Sequence, residues 1–449
     1  MQIGFGKTDI TPRVGVPLCG FGAFLNRVST SIRDRLWARA MAVEANGQRA
    51  VVISCDLLSI DACDTARVRR QVQEVTGLGP ESVLVACTHT HSGPDTSATR
   101  IGWGGYDPPY MELLPGRIAQ AAIHAIQSLT PARLQHAEVP CEGIGVNREY
   151  DTFAPPLDEV LLDTWRPEKP ELTDTTCHVL KAVGDDGRVL GFASYFGCHP
   201  VCCCGRNHQI HGDYAGVATN LLEREHPGSV GLFLQGAQGD VNSCVIGKAE
   251  QESLLGLDVV ASRYANAVRH GLHTATDIEV DTVAAVLDEP EFERKPWKPD
   301  EVRRRLADEE KTLCDPAADD ADNAYRLAVV RAVGLRRILA AMESGRSLAG
   351  PVQMQGLRFG PVSLLATPFE IFRQIKQDVL AAAQSPIPLV MGIANDTLGY
   401  APDRTSFDRG GYAADLVPLF YGFVPFAKLH EDLPGALLAV DKMLWKSSA

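Results

Sequence analysis

The sequence predicts an α/β protein built of mixed sheets flanked by helices. Two observations point there. Short apolar runs of strand length alternate with longer segments of helical spacing, and most of the runs end in a polar turn marked by Gly or Pro. A third observation adds detail. Residues 300–345 form a charged helical stretch between strand-like runs, which reads as a helical hairpin inserted on the surface.

Met1–Lys7 leads into Thr8-Asp9-Ile10-Thr11-Pro12 and reads as a strand and turn. Ala50–Cys55 is a continuous apolar run suited to a strand buried on both faces. Residues 62–76 carry helical spacing, and Ser82–Cys87 is a second buried strand. Residues 109–128 read as a helix that ends before Thr130-Pro131. Val189–Phe196 and Val230–Gln235 read as strands, and residues 253–273 as a helix. Residues 290–300 are rich in Pro, Glu and Lys and read as a surface linker. The hairpin follows, with a break near Asp315-Pro316. Strand-like runs resume at Val362–Ala366 and Leu389–Ala394. The segments on both sides of the hairpin are expected to build one catalytic domain over residues 1–449.

Formal net charge is −13, from 43 basic and 56 acidic residues. That balance argues against a nucleic-acid partner, whose phosphates need Lys and Arg. No stretch reaches the roughly 20 apolar residues that cross a bilayer. The first residues lack the basic end and apolar core of a secretory signal. The expected location is therefore cytoplasmic, where the 12 cysteines stay reduced. Cys55 and Cys87 sit in apolar runs and read as small core residues. The run Cys202-Cys203-Cys204, with Cys198 nearby, has the composition of a thiolate metal site but lacks a second C-x-x-C pair.

Ligands in α/β sheets bind at strand ends, and four of these ends carry unusual side chains. Thr88-His89-Thr90-His91-Ser92-Gly93-Pro94 places two histidines at i and i+2, which on an extended chain point the same way. The pair suits a metal, or one ligand and one proton-transfer group; the plainer reading is local turn hydrogen bonds. His199-Pro200 follows another strand, and His208 and His211 lie beyond it, where loop histidines are commonly solvated. Gly236-Ala237-Gln238-Gly239-Asp240-Val241-Asn242-Ser243 is a turn whose backbone N–H groups can approach a ligand. Ser243 lacks a nucleophile elbow and reads as a turn or capping residue. Thr367-Pro368-Phe369-Glu370 sets a carboxylate at a strand end, as a ligand, a base or a helix-start residue. Asn395–Tyr400 and Gly410-Gly411-Tyr412 follow.

Thr8–Pro12, Thr88–Pro94, Asn147-Arg148, His199-Pro200, Gly239-Asp240-Val241, Pro368-Phe369-Glu370 and the segment around Tyr400 occur together and in order. The set resembles the catalytic N-terminal domain of the neutral/alkaline non-lysosomal ceramidases. The resemblance implies a zinc-dependent amidohydrolase acting on a small-molecule or lipid-like N-acyl substrate. It implies His89, His199, Glu370 and Tyr400 as ligands of Zn2+, with His91 and Arg148 beside the metal. Glu370 and Tyr400 are separated by enough chain for one helix and one strand.

Two departures bear on that reading. The family's Gly-Asp-Val-Ser-Pro-Asn becomes Gly-Asp-Val-Asn-Ser-Cys, so Asn242 stands where the proposed serine nucleophile would be. The family's C-terminal immunoglobulin-like domain and secretion signal have no counterpart in the sequence. Zinc lowers the pKa of a bound water to about 7 and needs no serine. The expected reaction is thus amide hydrolysis by zinc-activated water, on a substrate other than ceramide. His91 would transfer a proton to the leaving group, and Arg148, Asn242 or N–H groups of the Gly236–Gly239 turn would stabilise the oxyanion. A zinc-dependent esterase or lactonase, and a non-catalytic ligand-binding homologue, are the alternatives.

Overall fold

The computed structural model describes residues 1–150, 154–317 and 319–446. Two mixed sheets organise the chain. The larger has nine strands. Its path runs through Val230–Gln235, Val189–Phe196, Thr176–Gly184, Thr130–Pro140, Gln2–Asp9, Trp37–Ala45, Gln48–Cys55 and Val83–Cys87. Thr276–Ile278 pairs with Thr130–Pro140 as the ninth. The smaller sheet contains Val283–Asp288, Met354–Phe359, Val362–Ala366 and Ile387–Met391.

The sheets stack face to face. One buried cluster joins Ile3, Met41, Val52, Leu84 and Leu180 of the large sheet to Leu357, Phe359, Leu364 and Met391 of the small one. The opposite face of the large sheet is covered at one end by the helices Ala62–Thr76 and Pro108–Gln127. Asp213–Glu225 and Glu250–Thr274 cover the other end. Arg373–Leu380 and Leu429–Lys446 cover the outer face of the small sheet. The layers are therefore helix, sheet, sheet, helix. This explains the uninterrupted apolar runs: Val51, Val52 and Ile53 each have a packed layer on either side and are fully buried.

The hairpin comprises Pro299–Leu313 and Asn323–Glu343, with the first helix ending just before Asp315-Pro316. Asp322 caps the second helix by accepting the Ala324 N–H. Val330, Leu335 and Ile338 pack it against Val417, Leu419 and Phe420. Gly334 lets the backbones touch, since a Cβ there would lie 2.1 Å from the Leu419 carbonyl oxygen.

Two expectations are corrected here. Residues 290–300 lie mostly at the surface but are anchored, because Phe292 is buried against Phe369 and Phe426, and Glu291 and Arg294 bridge to Pro351 and Phe426. The last strand ends at Met391, and Ile393 turns away with φ +53. That conformation is costly for a β-branched residue. Among the described residues no helix is long and apolar enough to cross a membrane.

Candidate metal centre

Four strand ends meet where the sheets adjoin. Val83–Cys87 delivers His89 and His91, and Val189–Phe196 delivers His199. Val362–Ala366 leads to Glu370, and Ile387–Met391 leads to Tyr400. Glu370 and Tyr400 face each other in a short parallel ladder. The helix Arg373–Leu380 and the strand Ile387–Met391 fill the chain between them, as the spacing predicts.

His89 Nδ1 lies 2.7 Å from the Leu58 carbonyl oxygen, and His199 Nδ1 lies 2.6 Å from that of Gln238. A carbonyl only accepts, so both Nδ1 atoms carry hydrogen and both Nε2 atoms are turned into the site. Both Nε2 atoms face one atom, Glu370 Oε2, at 3.4 Å and 2.9 Å. Burial holds the His199 imidazole down at about 4, against the opposing hydrogen bond to the Glu370 carboxylate. Burial also opposes charge on Glu370, but the His89 and His199 rings outweigh it and keep its carboxyl well below the usual range. A carboxylate oxygen and two imidazole nitrogens therefore converge in a buried place. Two imidazoles with a carboxylate are a donor set that could hold a metal ion such as zinc.

Tyr400 stands beside this group, its ring centroid 6.4 Å from that of His199. Burial pushes its phenol well above the ordinary value. The Arg148 guanidinium carbon sits 4.8 Å from the centre of the same ring. Arg148 Nη2 is buried and has no partner. The Arg148 backbone N–H donates to the Asp240 carbonyl at 2.8 Å, while the Asp240 side chain accepts from Asn147 and from the Arg373 N–H.

His91 packs edge-on against His89, with centroids 5.1 Å apart. Its Nδ1 accepts the Phe21 N–H at 3.4 Å, and its Nε2 is buried without a partner. Burial first, and then the His89 and His199 rings, hold its pKa well below the ordinary value, so it is neutral at neutral pH. His89, His91 and His199 offer donor atoms within 4.8 Å of one another. A pocket of about 60 Å³ opens beside them, lined in part by Leu58, Ser59, Arg100, Trp103, Tyr412 and Phe420.

Asn242 is half-buried and bridges in parallel to His199. Ser243 points the other way along the same strand, as alternation demands. It is fully buried, with its hydroxyl 3.0 Å from Cys202 Sγ. The two glycine N–H groups of the Gly236–Gly239 turn are used inside the fold. Gly236 N–H donates to Phe196 O and Gly239 N–H to Ile371 O, so both donors are spent inside the fold. The glycine at 239 instead permits close approach, since a Cβ there would lie 2.6 Å from the Glu370 carbonyl oxygen. His211 is not solvated but fully buried. Sequence reasoning missed Leu58, Gln238 and Asp240, which act through backbone or framework contacts. Of these only Gln238 and Asp240 had a signal, by lying in the turn before Asn242.

The chain resembles known proteins as follows. A family model described as neutral/alkaline non-lysosomal ceramidase, N-terminal, matches residues 1–280. Neutral ceramidases A and B of Dictyostelium discoideum are 28% and 30% identical to it over 262 and 261 residues. Neutral ceramidase of Pseudomonas aeruginosa is 26% identical over 253 residues. Each alignment covers 54% of this chain and only 35–37% of the relative, so the matched part spans about a third of those proteins. The crystal structure of the Pseudomonas aeruginosa enzyme superposes with a TM-score of 0.72 at 19% identity. That superposition covers 99% of this chain and 75% of the other. A structure described as ceramidase complexed with C2 gives 0.75 at 19% identity and the same coverage. The fold is thus shared along the described chain, including the segments that carry Glu370 and Tyr400 beyond the matched residues.

Proposed function

Since the chain belongs to the neutral/alkaline non-lysosomal ceramidase family, we propose that it is a zinc-dependent hydrolase that cleaves the C–N bond of an N-acyl amine. The observation that carries this reading is the convergence of two Nε2 atoms on Glu370 Oε2. His89, His199 and Glu370 would hold the ion, with Tyr400 as a fourth ligand. Bound there, zinc would supply Lewis-acid polarisation and a water acidic enough to ionise near neutral pH.

The protein's own groups account for the rest. Arg148 offers its unpartnered Nη2 to the carbonyl oxygen that gains charge. Asn242, bridged to His199, is a second candidate donor. Tyr400 supplies a hydroxyl where it is not a ligand. His91 presents a bare Nε2 to the reacting atoms. Its Nε2–H would hydrogen-bond the leaving nitrogen, and the proton that nitrogen gains as the C–N bond breaks would come from the attacking water. The burial of Ser243 beneath the strand supports water rather than serine as nucleophile.

The pocket supports a compact substrate. It is narrow, about 60 Å³, and Arg100 and Ser59 line it beside aromatic rings. We therefore favour short N-acyl amines over ceramide. We also place the protein in the cytoplasm, a reading that its free cysteines support. The test is zinc content and release of amine for the wild type, His89→Ala and His199→Ala, with matched esters alongside. Both variants should lose zinc and turnover together. Full turnover with unchanged zinc in either would sink the assignment, and ester cleavage without amide cleavage would redirect it to an esterase.

A further inference from the structure

A second cavity lies between the helical hairpin and the segment that leads to Tyr400, and the reaction above does not use it. Its volume is about 540 Å³, and Arg294, Arg337 and Arg346 line it beside Asp396, Tyr421 and Phe423. A volume of that order suits a small molecule. The three arginines come from three places. Arg294 precedes the hairpin, Arg337 lies on the helix Asn323–Glu343, and Arg346 follows that helix. Tyr421 lines this cavity and also the pocket beside the metal centre.

Among the described residues, none of these arginines is paired with a carboxylate. The Arg294 guanidinium carbon sits 3.5 Å from the centre of the Phe426 ring and 5.2 Å from that of Phe423. Those rings take the face of the cation and leave its N–H edge. On that edge Nη1 donates to the Val424 carbonyl at 3.1 Å, while Nε is buried without a partner. Burial lowers the Arg294 pKa to about 10, and no carboxylate opposes it. A guanidinium so placed lacks the counter-charge that burial calls for. Arg337 is exposed, and its Nη1 donates to a carbonyl, that of Thr99, at 2.6 Å. Gly422 lets its stem lie close, since a Cβ there would stand 3.0 Å from Arg337 Cδ. Arg346 is exposed too, and Glu343, three residues before it, is bonded to Arg303 instead. Asp396 is the one acid in the lining, and its Oδ1 accepts the N–H groups of Ala62 at 3.1 Å and Thr397 at 2.8 Å. In a chain of net charge −13, this cavity inverts the prevailing sign.

We propose that this cavity binds a small soluble phosphomonoester, with Arg294, Arg337 and Arg346 holding its phosphate group. The charge balance selects the class. Three guanidinium groups against one carboxylate leave two positive charges, and a phosphomonoester carries about −1.5 to −2 at neutral pH. A carboxylate ligand would leave one positive charge over. The donor type agrees, because a guanidinium fork matches the oxygens of a phosphate. A molecule bound there would touch Tyr421, whose hydroxyl lies 3.3 Å from Thr397 Oγ1, and both residues line the pocket of the metal centre.

Calorimetric titration of the full chain with glycerol 3-phosphate tests the site. One equivalent should bind, and zinc-loaded and zinc-stripped protein should bind alike, which separates this cavity from the metal centre. Acetate should bind at least tenfold more weakly. Arg337→Ala and Arg346→Ala should each weaken glycerol 3-phosphate by about tenfold or more, as loss of a charge-assisted hydrogen bond does. Both side chains are exposed, so these variants keep the test open if the half-buried Arg294→Met does not fold. Arg336→Ala removes the same charge one position away, where the side chain bonds Glu310, and should leave the affinity unchanged. Absence of binding at millimolar glycerol 3-phosphate overturns the proposal. So does binding that vanishes with the zinc, that acetate matches, that survives both Arg337→Ala and Arg346→Ala, or that Arg336→Ala weakens equally.

Discussion

His91 and Arg148 bring to the candidate centre what its ligands lack, namely a ring nitrogen and a guanidinium nitrogen buried without partners. Arg148→Ala should therefore lower kcat by about 10²–10³-fold, as loss of an oxyanion donor does. Zinc content should stay unchanged, and steady-state kinetics beside metal analysis would check both. Gly20 controls the His91 ring, because a Cβ there would lie 2.6 Å from Nδ1, at a φ of +112 that disfavours any other residue. Gly20→Ala should cut turnover while leaving zinc bound, since neither His89 nor His199 is touched. At this scale the sequence was readable in kind but not in role. The H-x-H spacing picks out both histidines, yet nothing in it says that Leu58 O fixes the tautomer of one while Phe21 N–H meets the other. The chain is also not simply extended there, since His89 has φ +70. Away from the centre, His178 is held by burial at about 3, against 6.5 when free. Between those values the unfolded chain binds a proton that the folded one refuses. The stability this group contributes is thus present above pH 6.5 and lost as pH falls toward 3. His178→Gln should show a shallower fall of Tm between pH 6.5 and 4 than the wild type. Parallel Tm profiles would contradict that assignment.

At the scale of elements, the turn Gly236–Asp240 shows how backbone contacts position chemistry. Its Gln238 carbonyl orients His199, its Asp240 carbonyl holds Arg148, and its Gly239 packs on Glu370. Gly239→Ala drives a methyl against the Glu370 carbonyl and should destabilise the fold by roughly 1–3 kcal/mol through overpacking. It should also weaken zinc binding, measurable by chelator competition. Strands packed on both faces, such as Val83–Cys87, announce themselves as apolar runs. Trp37–Ala45 does not, because Ala-Arg-Ala-Met-Ala-Val-Glu-Ala carries good helix formers, and only pairing with Gln2–Asp9 and Gln48–Cys55 makes it a strand. Thr130–Pro140 is hidden for another reason. Its exposed positions carry Thr, Pro, Arg and Glu, and a polar half-face has no apolar run to find. The hairpin was legible from charge and spacing. That it backs the Val417–Phe420 wall of the pocket was not, since the contact joins distant segments.

Across the whole molecule, the centre exists because two sheets stack with their strand ends side by side. The match to known family members in sequence stops at residue 280, and Glu370 and Tyr400 come from the second sheet's side of the fold. One buried ionic network locks the helix Asp213–Glu225 onto the large sheet. Arg39 bonds Asp56 at 2.8 Å, Glu223 at 3.1 Å and Asn220 at 2.6 Å, with both carboxylates and the guanidinium buried or nearly so. Asp56→Ala leaves that guanidinium short of charge and should cost about 3–5 kcal/mol in urea unfolding. The central claim is that an ion held by His89, His199 and Glu370 drives C–N cleavage. The most direct measurement is release of amine from a short N-acyl amine by chelator-stripped protein, followed as zinc is added back. Turnover should vanish on stripping, return with zinc in the wild type, and never return in His199→Ala. Turnover that persists in the metal-free protein, or in His199→Ala, would contradict it.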